Sequence, residues 1–278
     1  MRLRLACSDY SFPLLPHDHV FPLVRALGFD GIDIGLFQDR SHLQPSQVIS
    51  DLSRSANLLT ARLDDHVLEL ADVFFQASTF QDRAANHPDP KERARGRELF
   101  LRMLEFALRA NGHHLTGLPG VEWDGVPHDT SLKRAAEELT ERAALAKQVG
   151  VVYSVEAHMG SIVPTPDGAK ALIDMSPGLT LTLDYTHFIR QGFSDADCEQ
   201  LMPYAAHYHA RGAEPGRIQA SVAANRIDFK RVLQAMERAN YRGYVGVEYV
   251  WTEWERCNEV DNLSETVLLR DHLRALMS

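Results

Sequence analysis

The sequence is most informative in four short apolar runs: V-V-Y-S-V-E (residues 151–156), L-T-L-T-L-D (179–184), A-A-H-Y-H-A (205–210) and Y-V-G-V-E-Y-V (244–250). Their β-branched and aliphatic residues predict strands, and longer segments with helical periodicity separate them. Each run also contains an acidic residue or a histidine at or near its end. Strands that alternate with helices in this way indicate βα units with a parallel sheet.

The same alternation extends to the rest of the chain. Further strands are predicted at residues 2–7, 31–37, 58–63 and 114–118, and helices at 17–27, 45–57, 90–110, 129–149, from 165 onward, 195–202, 229–239 and 263–277, with a loop up to about residue 226. Eight such units in 278 residues match the size and count of a single (β/α)8 TIM barrel. No linker-like segment divides the chain, so we expect one domain over residues 1–278. An open, doubly wound sheet is less consistent, because the turn after the first strand, S-D-Y-S-F-P, lacks the glycines of a dinucleotide site.

Composition excludes several function classes. The chain has 38 acidic and 29 basic residues and a net charge of -9, which disfavours nucleic acid as a partner. Its three cysteines, Cys7, Cys198 and Cys257, are too far apart to indicate a disulfide framework or a zinc ribbon. We find neither a signal-peptide pattern nor an apolar stretch that could span a membrane, so we expect a cytoplasmic protein without a membrane partner. The basic run between residues 93 and 109 is compatible with a solvent face or with a subunit contact in a homo-oligomer.

Active sites of TIM barrels lie at the carboxyl ends of the strands, which draws attention to Glu156, Asp184, His209 and Glu248. Consecutive strands would bring these side chains to one mouth of the barrel. Three carboxylates and an imidazole suit one divalent ion, with Mn or Mg favoured and Co or Zn compatible. The sequence therefore predicts a metal site formed by these four residues.

Other histidines share this geometry. His158 lies two residues after Glu156 and faces the same side if the strand continues. His187 lies three residues after Asp184, where the turn can direct its ring over the mouth, and we expect it to contact substrate or transfer a proton. His207 is expected to lie deeper, as a hydrogen-bonded histidine that supports the site.

Taken in order, these segments resemble the xylose isomerase-like TIM barrels, also called the sugar phosphate isomerase/epimerase family. The matching pieces are V-E-A-H with T-P-D-G-A-K-A-L, L-T-L-D-Y-T-H, H-Y-H-A-R, R-I-D-F-K-R-V-L and G-Y-V-G-V-E-Y. The resemblance implies that Glu156, Asp184, His209 and Glu248 bind one divalent metal. It further implies that His187 and Arg211 bind substrate.

The resemblance also implies a reaction type. We expect a metal-dependent isomerase or epimerase that removes a proton next to the carbonyl of a carbohydrate or polyol ketone, through a metal-held enediolate. Glu156 and Glu248 are the candidate bases, and His158 or His187 would move the proton to oxygen. Trp251, which follows the last strand together with Trp254, is expected to contact the substrate.

Two departures leave the exact activity open. Ketose 3-epimerases that resemble this chain have a second glutamate six residues after the first, where this sequence has Ile162. A lyase similar to inosose dehydratases, or to the C-glycoside deglycosidases that act on 3-oxo-sugars, is therefore the main alternative. A phosphodiesterase like the endonucleases of the same superfamily is a remote one, because R-I-D-F places Phe229 where those nucleases have a histidine.

Overall fold

The computed structural model describes residues 3–277, and its centre is a closed barrel of eight parallel strands. Around the barrel the order is β1, β2, β3, β4, β5, β6, β7 and β10, and β10 closes the circle against β1. The barrel strands are β1 (Arg4–Ser8), β2 (Gly31–Phe37), β3 (Glu69–Gln76), β4 (His114–Gly117), β5 (Val152–Glu156), β6 (Thr180–Asp184), β7 (Ala205–Ala210) and β10 (Tyr244–Val247). The predicted (β/α)8 TIM barrel is thereby confirmed.

Helices cover the outside of the barrel and connect its strands. They are α1 (His17–Ala26), α2 (Pro45–Ser50), α3 (Leu52–His66), α4 (Pro90–Arg109), α5 (His128–Gln148), α6 (Pro166–Met175), α7 (Thr186–Ile189), α8 (Asp195–Glu199), α9 (Phe229–Arg238) and α10 (Asn262–Met277). Several begin as the sequence suggests: Thr165 accepts a hydrogen bond from the Gly168 amide at the start of α6. Within residues 3–277, no helix has both the length and the hydropathy that crossing a bilayer would need.

The predicted third strand is wrong. Residues 58–63 lie inside α3, and the true strand is β3, E-L-A-D-V-F-F-Q. Leucine and alanine suit helices, and the buried residues Leu52, Ala56, Leu59 and Leu63 follow helical spacing. Asp72 interrupts the apolar run of β3, so the sequence pattern did not predict this strand. The aspartate is fully buried and is tolerated there because its carboxylate contacts the His114 ring at 2.6 Å inside the barrel.

Three smaller predictions also need correction. The helix expected at residues 45–57 is two helices that meet at Asp51, which has a non-helical backbone and caps α3. The loop expected before residue 226 contains a short antiparallel hairpin of β8 (Gly212–Glu214) and β9 (Arg217–Ala220). The last barrel strand ends at Val247, so Glu248 lies just beyond it. Of the predicted first strand, Arg2 lies outside the described residues.

The interior of the barrel is filled largely by hydrogen-bonded polar side chains below the carboxyl ends of the strands. The His114 ring contacts Asp72 Oδ1 at 2.6 Å through Nδ1 and Ser154 Oγ at 2.8 Å through Nε2. His207 Nε2 lies 3.2 Å from Asp33 Oδ2. Buried polar groups of this kind are stable only when they are paired, and their pairing fixes the strands against one another.

Gly246 on β10 makes room for one of these contacts. A Cβ at this position would lie 2.1 Å from Asp33 Oδ2 and 3.0 Å from His207 Nε2. A side chain on β10 would therefore displace the Asp33–His207 contact. The absence of a side chain at residue 246 is a packing requirement of the polar interior.

A buried ion pair lies within α5, and an arginine from α4 joins it. Glu138 is 5% exposed and Arg142 is 3% exposed. The Glu138 carboxylate accepts a hydrogen bond of 2.9 Å from Arg142 Nε. Arg97 on α4 also bonds Glu138. Burial raises the pKa of Glu138, but the two arginines outweigh this effect and the net pKa is lowered. The carboxylate therefore stays ionised in the folded protein at neutral pH.

Candidate functional site

The four predicted metal ligands lie at the carboxyl ends of their strands, where the barrel places them. Glu156 ends β5, Asp184 ends β6, His209 is the fifth residue of β7, and Glu248 follows β10. All four residues are buried, with at most 6% of their surface exposed. Parallel strands of one closed barrel bring these separate sequence segments to a single mouth.

His209 lies between two carboxylates. Its Nδ1 is 2.8 Å from Glu156 Oε1, in hydrogen-bonding geometry, and 3.0 Å from Glu248 Oε2. Among residues 3–277, that Glu248 oxygen is buried without a hydrogen-bond donor. The pKa of His209 is lowered by burial, but the neighbouring charges of Glu248 and Glu156 raise it more, so the net pKa lies well above its usual value.

Asp184 holds the opposite side of the cluster and is strongly paired. Its Oδ1 accepts hydrogen bonds from the Thr186 amide at 2.8 Å and the Thr186 hydroxyl at 2.6 Å. Its Oδ2 accepts one from Arg211 Nη2 at 2.9 Å. Arg211 is fully buried; burial lowers its pKa, whereas the carboxylates of Glu248 and Asp184 raise it to a net value above normal. Arg211 is therefore a permanent positive charge at the floor of the site.

His187 lies close to the same carboxylates. Its Nε2 is 3.6 Å from Glu156 Oε2 and 3.6 Å from Asp184 Oδ2. Burial raises the pKa of Glu156, but the close contacts with His187 and His209 overcome this, and the net pKa is well below its usual range. Glu156 is therefore ionised at neutral pH, and its two carboxylate oxygens contact His209 and His187.

Two overlapping groups of potential ligands meet at Glu156. One comprises Glu156, His209 and Glu248 and the other Glu156, Asp184 and His187, and within each group the ligand atoms lie within 4.8 Å of one another. Carboxylate oxygens and one imidazole nitrogen are the donors that Mn, Mg, Co and Zn accept. The unpartnered oxygen of Glu248 faces this donor set, and like-charged carboxylates gathered here would be stabilised by a cation. The residues present fit a divalent ion.

His158 has a defined tautomer. Its Nδ1 lies 2.6 Å from the Met159 carbonyl oxygen. Since a carbonyl only accepts, Nδ1 carries the proton, and the buried Nε2 offers a lone pair. Burial, helped by the charge of His187, lowers the pKa of His158 to about 4, so the ring is neutral at pH 7.

A cavity of about 490 Å³ opens above the cluster. Glu156, His158, His187, Arg211 and Glu248 line it, together with the predicted substrate contact Trp251. The sequence did not predict a second set of lining residues from the first half of the chain, namely Tyr10, Pro13, Phe37, Arg40, Phe74, Gln76, Phe80 and Leu118. Phe74 and Gln76 lie on β3, the strand that was misplaced, whereas no motif distinguished Tyr10 or Phe37.

Three further residues of interest lie outside the cavity lining. His207 lies below His209, with its ring 5.2 Å from that ring, and contacts Asp33. Phe229, at the position where the related nucleases have a histidine, is 2% exposed and packs in the hydrophobic core. Trp123 donates to Asn86 Oδ1 and is not part of the cavity lining.

Solved structures with a similar fold include sugar epimerases, a dehydratase and an AP endonuclease. D-psicose 3-epimerase with D-tagatose, from Clostridium cellulolyticum H10, superposes with a TM-score of 0.78 at 17% identity, covering 99% of this chain and 100% of that one. The apo 3-keto-D-glucoside 4-epimerase from E. coli gives 0.74 at 15% identity, with 99% and 100% covered. A probable 3-DHS dehydratase from Bacillus anthracis gives 0.71 at 13% identity, with 96% and 99% covered. The TM-scores establish a common fold, and at identities this low the likeness extends to the fold alone.

The sequence has no significant match among curated proteins. The family model described as xylose isomerase-like TIM barrel, in contrast, matches residues 21–275. Since that match spans most of the chain, the protein belongs to the xylose isomerase-like TIM barrel family.

Proposed function

We propose that the protein is a divalent-metal-dependent isomerase or epimerase acting on a carbohydrate or polyol ketone by proton abstraction next to the carbonyl. The observation that carries this proposal is the cluster of potential ligand atoms around Glu156. Glu156 shares one group with His209 and Glu248 and a second with Asp184 and His187, and both Glu156 and Glu248 line the cavity. Structurally similar proteins include a D-psicose 3-epimerase and a 3-keto-D-glucoside 4-epimerase, which supports a ketone substrate.

These four residues would hold the metal. A bound divalent ion, Mn or Mg in our proposal and Co or Zn as compatible alternatives, would polarise a carbonyl and its adjacent hydroxyl and so acidify the C–H bond between them.

The chain's own residues then divide the proton chemistry. Glu156 and Glu248 approach from well-separated strands, and either carboxylate can take the acidic C–H proton to leave an enediolate. His158 Nε2 carries a free lone pair and can accept a hydroxyl proton, with His187 as its neighbour at a ring separation of 5.8 Å. Arg211 uses two of its nitrogens on Asp184 and Thr186, which leaves N–H groups for substrate oxygens.

The test is solvent exchange. The metal-loaded protein is incubated in deuterated water with ketoses, 3-oxo-glycosides, inososes and hydroxypyruvate, and each compound is analysed by NMR and mass spectrometry. We expect one carbon-bound deuterium in the true substrate, at early times and in both directions. Glu248→Gln should abolish the labelling, whereas Glu253→Gln, which removes an exposed carboxylate from the adjacent loop, should preserve it.

Turnover without any deuterium would contradict proton abstraction and indicate a direct hydride shift between adjacent carbons. Absence of both turnover and exchange across the panel, in protein shown to contain metal, would contradict the substrate class.

A lyase is the second candidate, and one observation favours it. Ile162 occupies the position where related ketose 3-epimerases have a hydroxyl-binding glutamate, and it is 0% exposed. Without that contact, the same enediolate could lose a leaving group instead of regaining a proton. Product analysis in the same experiment separates the outcomes, because an epimer retains the substrate mass whereas elimination does not.

A further inference from the structure

The cavity is divided into two chemically different parts. Its floor is the polar cluster of Glu156, His158, His187, Arg211 and Glu248. Above the floor, the lining is mostly aromatic or aliphatic. The volume of about 490 Å³ lies in the ~300–1,000 Å³ range of sites for drug-sized ligands.

One side of the upper cavity is a continuous aromatic surface, which we call the phenyl wall: Tyr10, Phe37 and Phe74. The Tyr10 and Phe37 rings are 5.0 Å apart and meet edge to face, and Phe37 meets Phe74 in the same way at 5.1 Å. Phe74 in turn lies 5.9 Å from the His209 ring. The phenyl wall therefore begins at the proposed metal cluster and extends outward from it.

Two indole rings, the tryptophan rim, line the same cavity. Trp251 is 38% exposed and Trp254 is 45% exposed, and the Trp254 ring lies 6.4 Å from the His187 ring. Large apolar surfaces left exposed at the mouth of a cavity commonly mark ligand contacts. The polar exceptions in this upper region are Arg40, Gln76 and Thr252, of which the first two bond each other at 2.5 Å.

A free ketose matches only the floor of this cavity. One sugar face can stack on one aromatic ring, but hydroxyl groups surround the rest of the molecule and would lose hydrogen bonds against the phenyl wall. A flat apolar substituent has the opposite preference, because it gains from burial against these rings.

We propose that the natural substrate is a sugar ketone bearing a flat, apolar aglycone, held between the phenyl wall and the tryptophan rim. This inference rests on the proposed function, since the ketone-bearing sugar must reach the polar floor. It concerns binding of the aglycone and applies to epimerisation and elimination alike.

The test compares two inert probes that differ only in the aglycone, phenyl β-D-glucopyranoside and methyl β-D-glucopyranoside. Each is titrated into Mg-loaded protein while tryptophan fluorescence is recorded. Trp251 and Trp254 report from the cavity, and Trp123, outside the lining, provides a constant background. We expect the phenyl glucoside to bind about tenfold more tightly, which corresponds to ~1.4 kcal/mol.

Variants assign the preference to the proposed surfaces. Trp254→Ala and Phe37→Leu should each weaken phenyl glucoside binding severalfold and leave methyl glucoside binding unchanged, whereas Trp123→Phe should alter neither. Phe37→Leu keeps an apolar side chain of similar size, so the test stands even if Trp254→Ala folds poorly.

Equal affinities for the two probes, or no saturable binding of the phenyl glucoside, would overturn the inference. Neither result bears on solvent exchange at the sugar, so failure here is distinguishable from failure of the proposed function.

Discussion

Gly246→Ala tests whether the polar interior of the barrel supports the site above it. The new Cβ would lie 2.1 Å from Asp33 Oδ2, about 1.3 Å short of the 3.4 Å at which ordinary contact begins. Asp33 cannot retreat freely, because its residue is 0% exposed and its carboxylate contacts His207. Either the strand or the Asp33–His207 contact must therefore yield.

The cost has two contributions. Overpacking a well-packed interior costs ~1–3 kcal/mol. Loss of the Asp33–His207 hydrogen bond adds ~1.5–3 kcal/mol. We therefore expect the free energy of unfolding to fall by about 2.5–6 kcal/mol, with a drop in Tm of roughly 10 °C for a chain of this size.

The assay is urea denaturation followed by circular dichroism, and a double-mutant cycle gives it specificity. Asp33→Ala removes the atoms that the new methyl group would strike. The double variant should therefore be more stable than the sum of the two single effects predicts, by at least about 1 kcal/mol. Gly246→Ala with parental stability, or strict additivity in the cycle, would refute the packing explanation.

Three further predictions concern charged residues. Asp184→Asn should lower the metal content measured by elemental analysis, and unchanged content would remove Asp184 from the proposed ligands. Arg211→Ala and His187→Ala should retain metal but lose about 100-fold or more in turnover, since both are assigned to substrate; metal loss would reassign either residue as a ligand. Glu138→Gln should cost ~3 kcal/mol in urea denaturation because it leaves the buried charge of Arg142 without its counter-charge, and a cost below ~1 kcal/mol would contradict this. The folded pKa of Glu138 is lowered, so its contribution to the free energy of unfolding is complete above the unfolded pKa of ~4.3 and is lost as the pH falls through the lower folded pKa. Acid titration of parent and variant can verify this.

The sequence predicted the second half of the barrel well because the same residues carry two independent signals. In L-T-L-T-L-D the alternation of leucine and threonine predicts a strand, and the terminal Asp184 marks its carboxyl end. The structure places both where expected, with Thr182 in the interior beside Thr116 and Asp184 at the mouth. Agreement between local pattern and barrel geometry also located Glu156, His209 and Glu248.

The first half was harder because its polar residues point inward without forming a motif. Asp33 and Asp72 lie in the middle of strands, where a carboxylate normally argues against a buried strand. Only the three-dimensional neighbours, His207 and His114, explain how these carboxylates are accommodated. Such pairs join residues 174 and 42 positions apart, and a single sequence contains no signal that links them.

Arg211 illustrates how a prediction from a family resemblance can be incomplete. The resemblance implied that Arg211 binds substrate, and the structure places it directly after β7, in the cavity lining. Its ion pair with Asp184 was not predicted, because residues 27 apart in the sequence share no local pattern. The pair has a chemical consequence: Arg211 hydrogen-bonds Asp184 but acts on Glu248 only through its charge, and Glu248 Oε2 remains without a donor in the described part of the chain. Glu248 therefore has less hydrogen-bond support than Asp184, and we expect a divalent cation to contribute most to stability on the side of Glu156, Glu248 and His209.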